Sequence, residues 1–322
     1  MRNALERRHF LRIGFAGALA AAGQPTLFAQ SKAQKFNIGM AATEWLSAKP
    51  PIAYWTAVEA ISALDFGATE ADNSLARLDI VYGKDVSTFT EKLKASGVKI
   101  TGVYQALPLH EAQRLDEMRA KIHAVASFLK AAGASYIALG WEVPWHQGQG
   151  IYQRTPEDVK QAVRSADDLG RIAIEEHGIP IALHAERDIP KEMVVQILDD
   201  TNPKYVRLCA DVGHLTAMGL DALATVKKYS TRLTASHWKD YDPNAKGRSW
   251  SGKEKVGDFV ELGKGVVDFH GLADFYREIG FDGWVLIELD QSHEPTIHAS
   301  AQKMRSYVTD ELKLKVYPRQ RS

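Results

Sequence analysis

From Lys35 onward, short runs rich in apolar and β-branched residues alternate with longer stretches whose apolar positions recur every three or four residues. The runs at 36–41, 68–71, 98–104, 136–139, 179–184, 205–211, 232–237 and 284–288 predict eight strands. Between and after them, 52–64, 85–95, 109–132, 156–176, 192–198, 221–228, 269–279 and 299–313 carry helical periodicity. Strand and helix alternating eight times is the pattern of an α/β (β/α)8 TIM barrel, and a doubly wound open sheet is its main rival. Gly67, Gly97, Gly133, Gly178 and Gly280 each close a helical run just before a strand, where positive φ is favoured. No linker or low-complexity tract interrupts residues 35–315, so the pattern predicts one domain. The stretch 240–265, with Pro243, Asn244, Gly247, Gly252 and Gly257, is long for a strand-to-helix connection. It reads either as a cover over the site or as a mobile surface insertion.

The first thirty residues do not belong to this pattern. Glu6-Arg7-Arg8-His9-Phe10-Leu11-Arg12 precedes an Ala- and Gly-rich apolar run over 13–22, then Pro25 and Leu27-Phe28-Ala29. That is the order of a signal peptide, and the paired arginines before Phe-Leu resemble a twin-arginine export signal. A frayed basic N-terminus or an uncleaved anchor is the plainer reading. A run of about ten residues is too short to span a bilayer, which needs around twenty. The expectation is an exported, periplasmic protein with no stable membrane anchor after cleavage of residues 1–30. Twin-arginine systems carry folded proteins, which agrees with a metal loaded before export.

Composition narrows the chemistry. The 322 residues are 45% apolar and 25% charged, as in an ordinary globular chain. Lys plus Arg and Asp plus Glu both number 40, so there is no basic excess for gripping nucleic acid. Cys209 is the only cysteine, which excludes an intrachain disulfide and a cysteine-based zinc site, and its apolar run marks it as a small buried hydrophobe. Oligomeric state is not written in the sequence, and a homo-oligomer is compatible with it.

Three segments place ligand-type side chains where strand runs end: Asp211-Val212-Gly213-His214, His237-Trp238-Lys239-Asp240 and Glu288-Leu289-Asp290. In such a barrel the active site lies at the carboxyl ends of the strands. Taken singly, Asp211 could cap the next helix and His237 could be a satisfied core histidine. Glu288, between Ile287 and Leu289, is the hardest to explain blandly, because burying an isolated carboxylate is costly. Together, Asp211, His237 and Glu288 predict a divalent-metal site. The fourth donor comes from His184 or Glu186, which the spacing of two places on one side of their strand. This donor mixture suits Mn²⁺, Co²⁺, Zn²⁺ or Mg²⁺ alike. Glu142 could act as acid, base, ligand or rim acceptor. Trp141, Trp145 and Trp238 could stack on a sugar face or simply pack.

These motifs resemble the xylose isomerase-like TIM-barrel superfamily of sugar isomerases, epimerases and inosose dehydratases, over nearly all of the chain after the N-terminal segment. Asp211-Val212-Gly213-His214 is similar to its Asp-x-x-His segment, and His237-Trp238-Lys239-Asp240 to its His-x-Lys-Asp segment. The stretch from Phe259 through Gly265 to Phe269 is similar to the glycine-containing segment before its seventh helix, and Gly283 to Asp290 to its final ligand strand. The resemblance implies Asp211, His237 and Glu288 as ligands, with His214 and Lys239 touching substrate oxygens. Many members carry a glutamate at the fifth-strand tip, where this chain has His184 with Glu186 two residues later. That departure speaks against a proton shuttle between two glutamates and keeps lyase chemistry in view.

The expected activity is therefore a divalent-metal-dependent sugar isomerase or epimerase working through an enediolate, with Glu288 or Glu186 as base and Lys239 or His214 assisting the oxygens. The alternative is a lyase or dehydratase on a keto-inositol or 3-keto-glycoside. A non-catalytic sugar-binding barrel is less favoured. Phosphodiesterase chemistry, known elsewhere in the superfamily, is disfavoured by zero net charge, the export signal and too few histidines near strand ends. The expected partner is a small carbohydrate.

Overall fold

The computed structural model describes residues 32–48, 52–72, 86–142, 154–248 and 254–320. The N-terminal segment expected to be an export signal and Trp145 lie outside these residues. All eight expected strands form: β1 (Asn37–Met40), β2 (Ala68–Asp72), β3 (Lys99–Leu107), β4 (Tyr136–Trp141), β5 (Ile181–His184), β6 (Val206–Asp211), β7 (Leu233–Trp238) and, after a hairpin, β10 (Trp284–Ile287). They make one parallel sheet in the order β1-β10-β7-β6-β5-β4-β3-β2. β1 and β2 then face each other at close range: a Cβ on Gly39 would lie 2.7 Å from the Ala68 carbonyl oxygen. This is a nearly closed TIM barrel.

Among the described residues the helices are α1 (Thr43–Ser47), α2 (Tyr54–Ala63), α3 (Val86–Ser96), α4 (Leu115–Ala132), α5 (Pro156–Ile172), α6 (Lys191–Asp200), α7 (Val212–Ala217), α8 (Ala222–Lys228), α9 (Phe269–Ile279) and α10 (Ile297–Ser306); eight follow the predicted stretches, whereas the short α1 and α7 were not predicted. Residues 109–114, included in a predicted helix, instead form a turn and a 3-10 segment leading into α4. α5 runs on into a π-turn over Ala173–His177. Its start has the expected chemistry, because Thr155 and Asp158 form a reciprocal capping box with Pro156 at the first helical position.

Side-chain alternation organises the barrel interior. The inward positions carry a small or apolar layer that includes Ala68, Tyr136, Ala138, Ala182, Cys209, Ala235, Trp284 and Leu286. Cys209 is fully buried there. Two residues further along four of these strands, on the same face, come His184, Asp211, His237 and Glu288. The outward positions pack against the helices, and Trp238 is one of them, with ring contacts to Phe36, Phe269 and Tyr276. This places it in the sheet-helix core and corrects its expected role at a sugar face: it neighbours the inward His237, so alternation turns it outward.

Gly97, Gly133, Gly178 and Gly280 adopt positive φ as expected, but Gly67 does not. Asp65 takes the left-handed conformation instead, with φ of 63°. Gly67 is needed for space: a Cβ there would sit 2.0 Å from the Pro318 carbonyl oxygen. The C-terminal tail crosses at this point. Tyr317 N–H donates to the Ile38 carbonyl at 2.8 Å, and Gly67 N–H donates to the Tyr317 carbonyl at 2.8 Å. One tail residue thus links β1 to the entry of β2, where the two end strands share no ladder. The Tyr317 ring also meets Trp284 edge-on at 5.2 Å. Deleting residues 316–322 is expected to destabilise the fold by about 2 kcal/mol from these two backbone bonds alone. That corresponds to a fall in Tm of roughly 4–8 °C by calorimetry, and an unchanged Tm would show that the tail does not close the barrel.

Candidate metal centre at the carboxyl end of the barrel

The ends of β5, β6, β7 and β10 bring His184, Asp211, His237 and Glu288 together, all buried, with one donor atom of each inside 4.8 Å of all the others. His184 Nε2 lies 3.2 Å from His237 Nδ1 and 3.4 Å from Asp211 Oδ2, and His237 Nδ1 lies 2.6 Å from Glu288 Oε2. A tetrahedral ion with bonds of about 2.0–2.1 Å separates its ligands by about 3.3 Å. Two of the three spacings match that edge, and the third is tighter.

Each donor is aimed by what holds its other atom. His184 Nδ1 faces Glu186 Oε1 at 3.0 Å, so in the neutral ring the proton belongs on Nδ1 and the lone pair on Nε2. His237 Nε2 lies 3.3 Å from Glu70 carboxylate oxygens, which leaves Nδ1 as its lone-pair atom. Asp211 Oδ1 accepts from His214 N–H at 2.8 Å, capping α7, while Glu288 Oε1 accepts from Lys239 Nζ at 3.0 Å. The remaining oxygens, Asp211 Oδ2 and Glu288 Oε2, are buried and turned into the cluster, where they face the ring nitrogens of His184 and His237. Such atoms are costly unless a cation or proton satisfies them. The capping role and the ligand role considered for Asp211 fall on its two different oxygens. Carboxylate-backed imidazoles and carboxylates anchored by one oxygen are how metal ligands are held, so this set could hold a divalent cation.

The chain matches the family described as xylose isomerase-like TIM barrel over residues 58–307. It belongs to that family. It is 26% identical over 277 residues to an inosose dehydratase from Lacticaseibacillus casei, covering 79% of this chain and 90% of the relative. Among solved structures, a sugar phosphate isomerase/epimerase from Parabacteroides distasonis superposes with a TM-score of 0.66 at 14% identity, covering 88% of this chain and 97% of that one. The IOLI protein with a bound zinc atom also reaches 0.66, at 16% identity over 86% of this chain and 98% of its own. At these identities the solved structures show the fold alone.

Within this family barrel, the other expected residues sort by what they touch. Glu186 is buried beside the cluster, where its Oε1 accepts from the Tyr104 hydroxyl at 2.7 Å and meets His184 Nδ1. His184, not Glu186, offers the fourth converging atom. Lys239 is buried with Nζ 2.9 Å from Asp290 Oδ1 and 3.6 Å from Asp211 Oδ2, so its ammonium serves several carboxylates at once. His214 Nδ1 accepts from Arg187 N–H at 2.8 Å, which assigns its proton to Nε2, 3.7 Å from Glu186 Oε2. Glu142 stands apart from the cluster, 3.7 Å from Arg114 Nη1. Trp141 ends β4, buried, with its indole N–H donated to His110 Nδ1 at 3.1 Å. Asp240 is structural: its carboxylate accepts from Gly263, Gly265 and Val267 N–H, tying down the glycine-containing stretch.

The long connection is an antiparallel hairpin of β8 (Asp240–Arg248) and β9 (Glu254–Val260), in place of an irregular loop. Its Phe259 ring lies 4.7 Å from the His214 ring, with Lys239 Nζ 4.9 Å from its centre. Phe259 thus packs against two of the side chains beside the cluster. Two residues were not anticipated. Glu70 on β2 backs His237, and Tyr136 donates to its Oε2 at 2.5 Å. A glutamate at an inward position beside Ala68 was the available signal, and only pairing across the barrel shows its use.

The charges depend on one another. Burial alone would favour neutral rings, but Glu186 and Asp211 outweigh it and push His184 up to about 10. Burial likewise opposes charge on His237, yet Glu70 and Glu288 are among the groups that hold it well above the ordinary range. Burial would raise Asp211, but Lys239, His214 and His184 hold it well below the usual carboxylate range. For His214, burial prevails over Asp211 and, with Lys239, pushes the ring down to about 4, so it is neutral at pH 7. In the metal-free cluster the two donor imidazoles thus hold protons that a cation must displace. Occupancy is expected to rise with pH, with affinity changing by roughly tenfold per pH unit for each proton released. Elemental analysis of protein dialysed against buffered Zn²⁺ between pH 5 and 8 checks this, and pH-independent occupancy would contradict it.

Proposed function

We propose that this chain is a divalent-metal-dependent enzyme of the sugar isomerase/epimerase and dehydratase kind, acting on a polyhydroxylated ketone by removing the proton beside its carbonyl. The observation that carries this reading is the convergence of two inward-turned carboxylate oxygens, Asp211 Oδ2 and Glu288 Oε2, with the inward ring nitrogens of His184 and His237. These four side chains would hold the ion. A divalent ion there, with Zn²⁺, Mn²⁺, Co²⁺ and Mg²⁺ all open, supplies Lewis-acid stabilisation of negative charge on substrate oxygens.

The protein's own groups suit the proton transfer. Burial opposes charge on Glu186, but His214, His184 and the Tyr104 hydroxyl hold it below the usual carboxylate range, ready to accept a proton. Glu288, the other candidate base, has its Oε1 committed to Lys239 and its Oε2 to the cluster. His214, neutral and carrying its proton on Nε2, can donate a hydrogen bond to a substrate oxygen without being a strong acid. Burial works against charge on Lys239, yet Asp290, Glu288 and Asp211 keep it well above its ordinary range, so it remains ammonium.

One base fits two outcomes. Glu186 can return the proton to the neighbouring carbon, which isomerises the substrate. It can instead pass that proton to a hydroxyl one carbon further on, which leaves as water while the carbon-carbon double bond forms. Epimerisation at a single carbon needs a second acid on the opposite face, a role the replacement of the usual glutamate by His184 does not favour. Similarity to the inosose dehydratase supports dehydration of a keto-inositol or keto-sugar as the leading outcome, with isomerisation beside it.

Incubation with keto-sugars, keto-inositols and 3-keto-glycosides in D₂O with Mn²⁺, followed by NMR, separates these outcomes. Dehydration yields an unsaturated ketone and released water; isomerisation yields a product carrying deuterium. Glu186→Gln is expected to lower kcat by about 10²–10⁴-fold with metal content intact, and wild-type turnover in that variant would exclude Glu186 as base. We also propose export, on the strength of Arg7-Arg8 and the apolar run behind them. Fractionation should find the protein outside the cytoplasm, and Arg7→Lys with Arg8→Lys should retain it inside; equal distribution of both would refute export by this signal.

A further inference from the structure

A second cluster of ligating groups lies on the outer helical ring, separate from the barrel centre. His123 on α4 and Glu176 and His177 in the π-turn after α5 each present one donor atom within 4.8 Å of the other two. His123 Nδ1 is 3.0 Å from His177 Nε2 and 3.8 Å from Glu176 Oε2. We propose that these three side chains form a surface site for a borderline-soft divalent ion, of the Zn²⁺, Cu²⁺ or Ni²⁺ class, with its remaining positions open to solvent.

Three features support it. First, two imidazole nitrogens and a carboxylate oxygen make a donor set that suits those ions better than Mg²⁺ or Ca²⁺, which prefer oxygen throughout. Second, the far nitrogen of His177 is engaged: Ser127 Oγ, one turn along α4 from His123, lies 3.2 Å from His177 Nδ1. A hydroxyl accepting the Nδ1 proton leaves the lone pair on Nε2, the atom facing His123, as an outer-shell group does for a metal-ligating histidine. Third, the backbone is adapted locally. Consecutive residues of a regular helix do not face the same neighbour, yet Glu176 and His177 both reach His123. The widened π-turn, closed by Gly178 at φ of 75°, lets them do so, and such turns are frequent at functional sites. His123 and Glu176 are about half exposed, with side-chain accessibilities of 43% and 50%, so an ion can enter from solvent. Bound there, it would clip the end of α5 to α4.

The test is the stoichiometry of the full-length protein, stripped with chelator and dialysed against micromolar Zn²⁺. His177→Ala and, separately, His123→Gln should each bind one zinc fewer per chain than the wild type, with circular dichroism unchanged. This difference does not depend on whether the barrel centre is filled. Ser127→Ala should keep the stoichiometry while weakening the affinity of this site about tenfold. Zn²⁺ should also raise the Tm of the wild type more than that of His177→Ala. Equal zinc content in the wild type and both histidine variants would overturn the proposal and reduce the contact to an ordinary imidazole-imidazole hydrogen bond.

Discussion

Burying two carboxylates and two imidazoles within a few ångströms of one another is the constraint around which the rest of this barrel is arranged. Each carboxylate oxygen removed from water must find a proton, a donor or a cation. The chain meets half of this demand with its own groups: the α7 N-terminus takes Asp211 Oδ1, and Lys239 takes Glu288 Oε1. The other half is left at one point. A lysine with almost no solvent exposure is tolerable only because Asp211, Glu288 and Asp290 surround it. The same carboxylates are kept ionised by that lysine, so removing any member leaves the others with uncompensated charge.

The supporting shell follows from this. Glu186 and Glu70 stand behind the two histidines, and tyrosines 104 and 136 stand behind those glutamates. Burial and Glu70 hold the Tyr136 phenol well above its ordinary range, so it remains a donor to that carboxylate. Each layer fixes the proton position of the layer inside it. Ring and carboxylate orientation are therefore set before any ion arrives, as pre-organised metal sites require. The hairpin serves the same end, with Asp240 holding its base to the backbone of 263–267 and Phe259 laid against His214 and Lys239.

Much of this was legible from periodicity. Eight strand runs and the helices between them follow from spacing of 2.0 and 3.6 residues, because a strand or helix with one apolar face has few other ways to bury it. Asp211, His237 and Glu288 could be picked out because polar ligand types at the ends of apolar runs are costly without a function. The helix-closing glycines divided on physical grounds. Four take positive φ, whereas Gly67 makes room for a tail that passes more than two hundred residues later in the chain, which no local pattern encodes.

The sequence by itself determined the architecture, the strand ends on which chemistry is carried and the donor types available there, because these depend on local propensity and on which face of an element must be buried. Only the tertiary structure decided between His184 and Glu186 as the converging donor, gave each oxygen of Asp211 its own role, turned Trp238 outward into the core, paired Glu70 with His237 across the barrel and used Tyr317 to join β1 to β2. Those choices rest on distances of about 3 Å between residues far apart in the chain, where hydrogen bonding and charge act and sequence spacing carries no information.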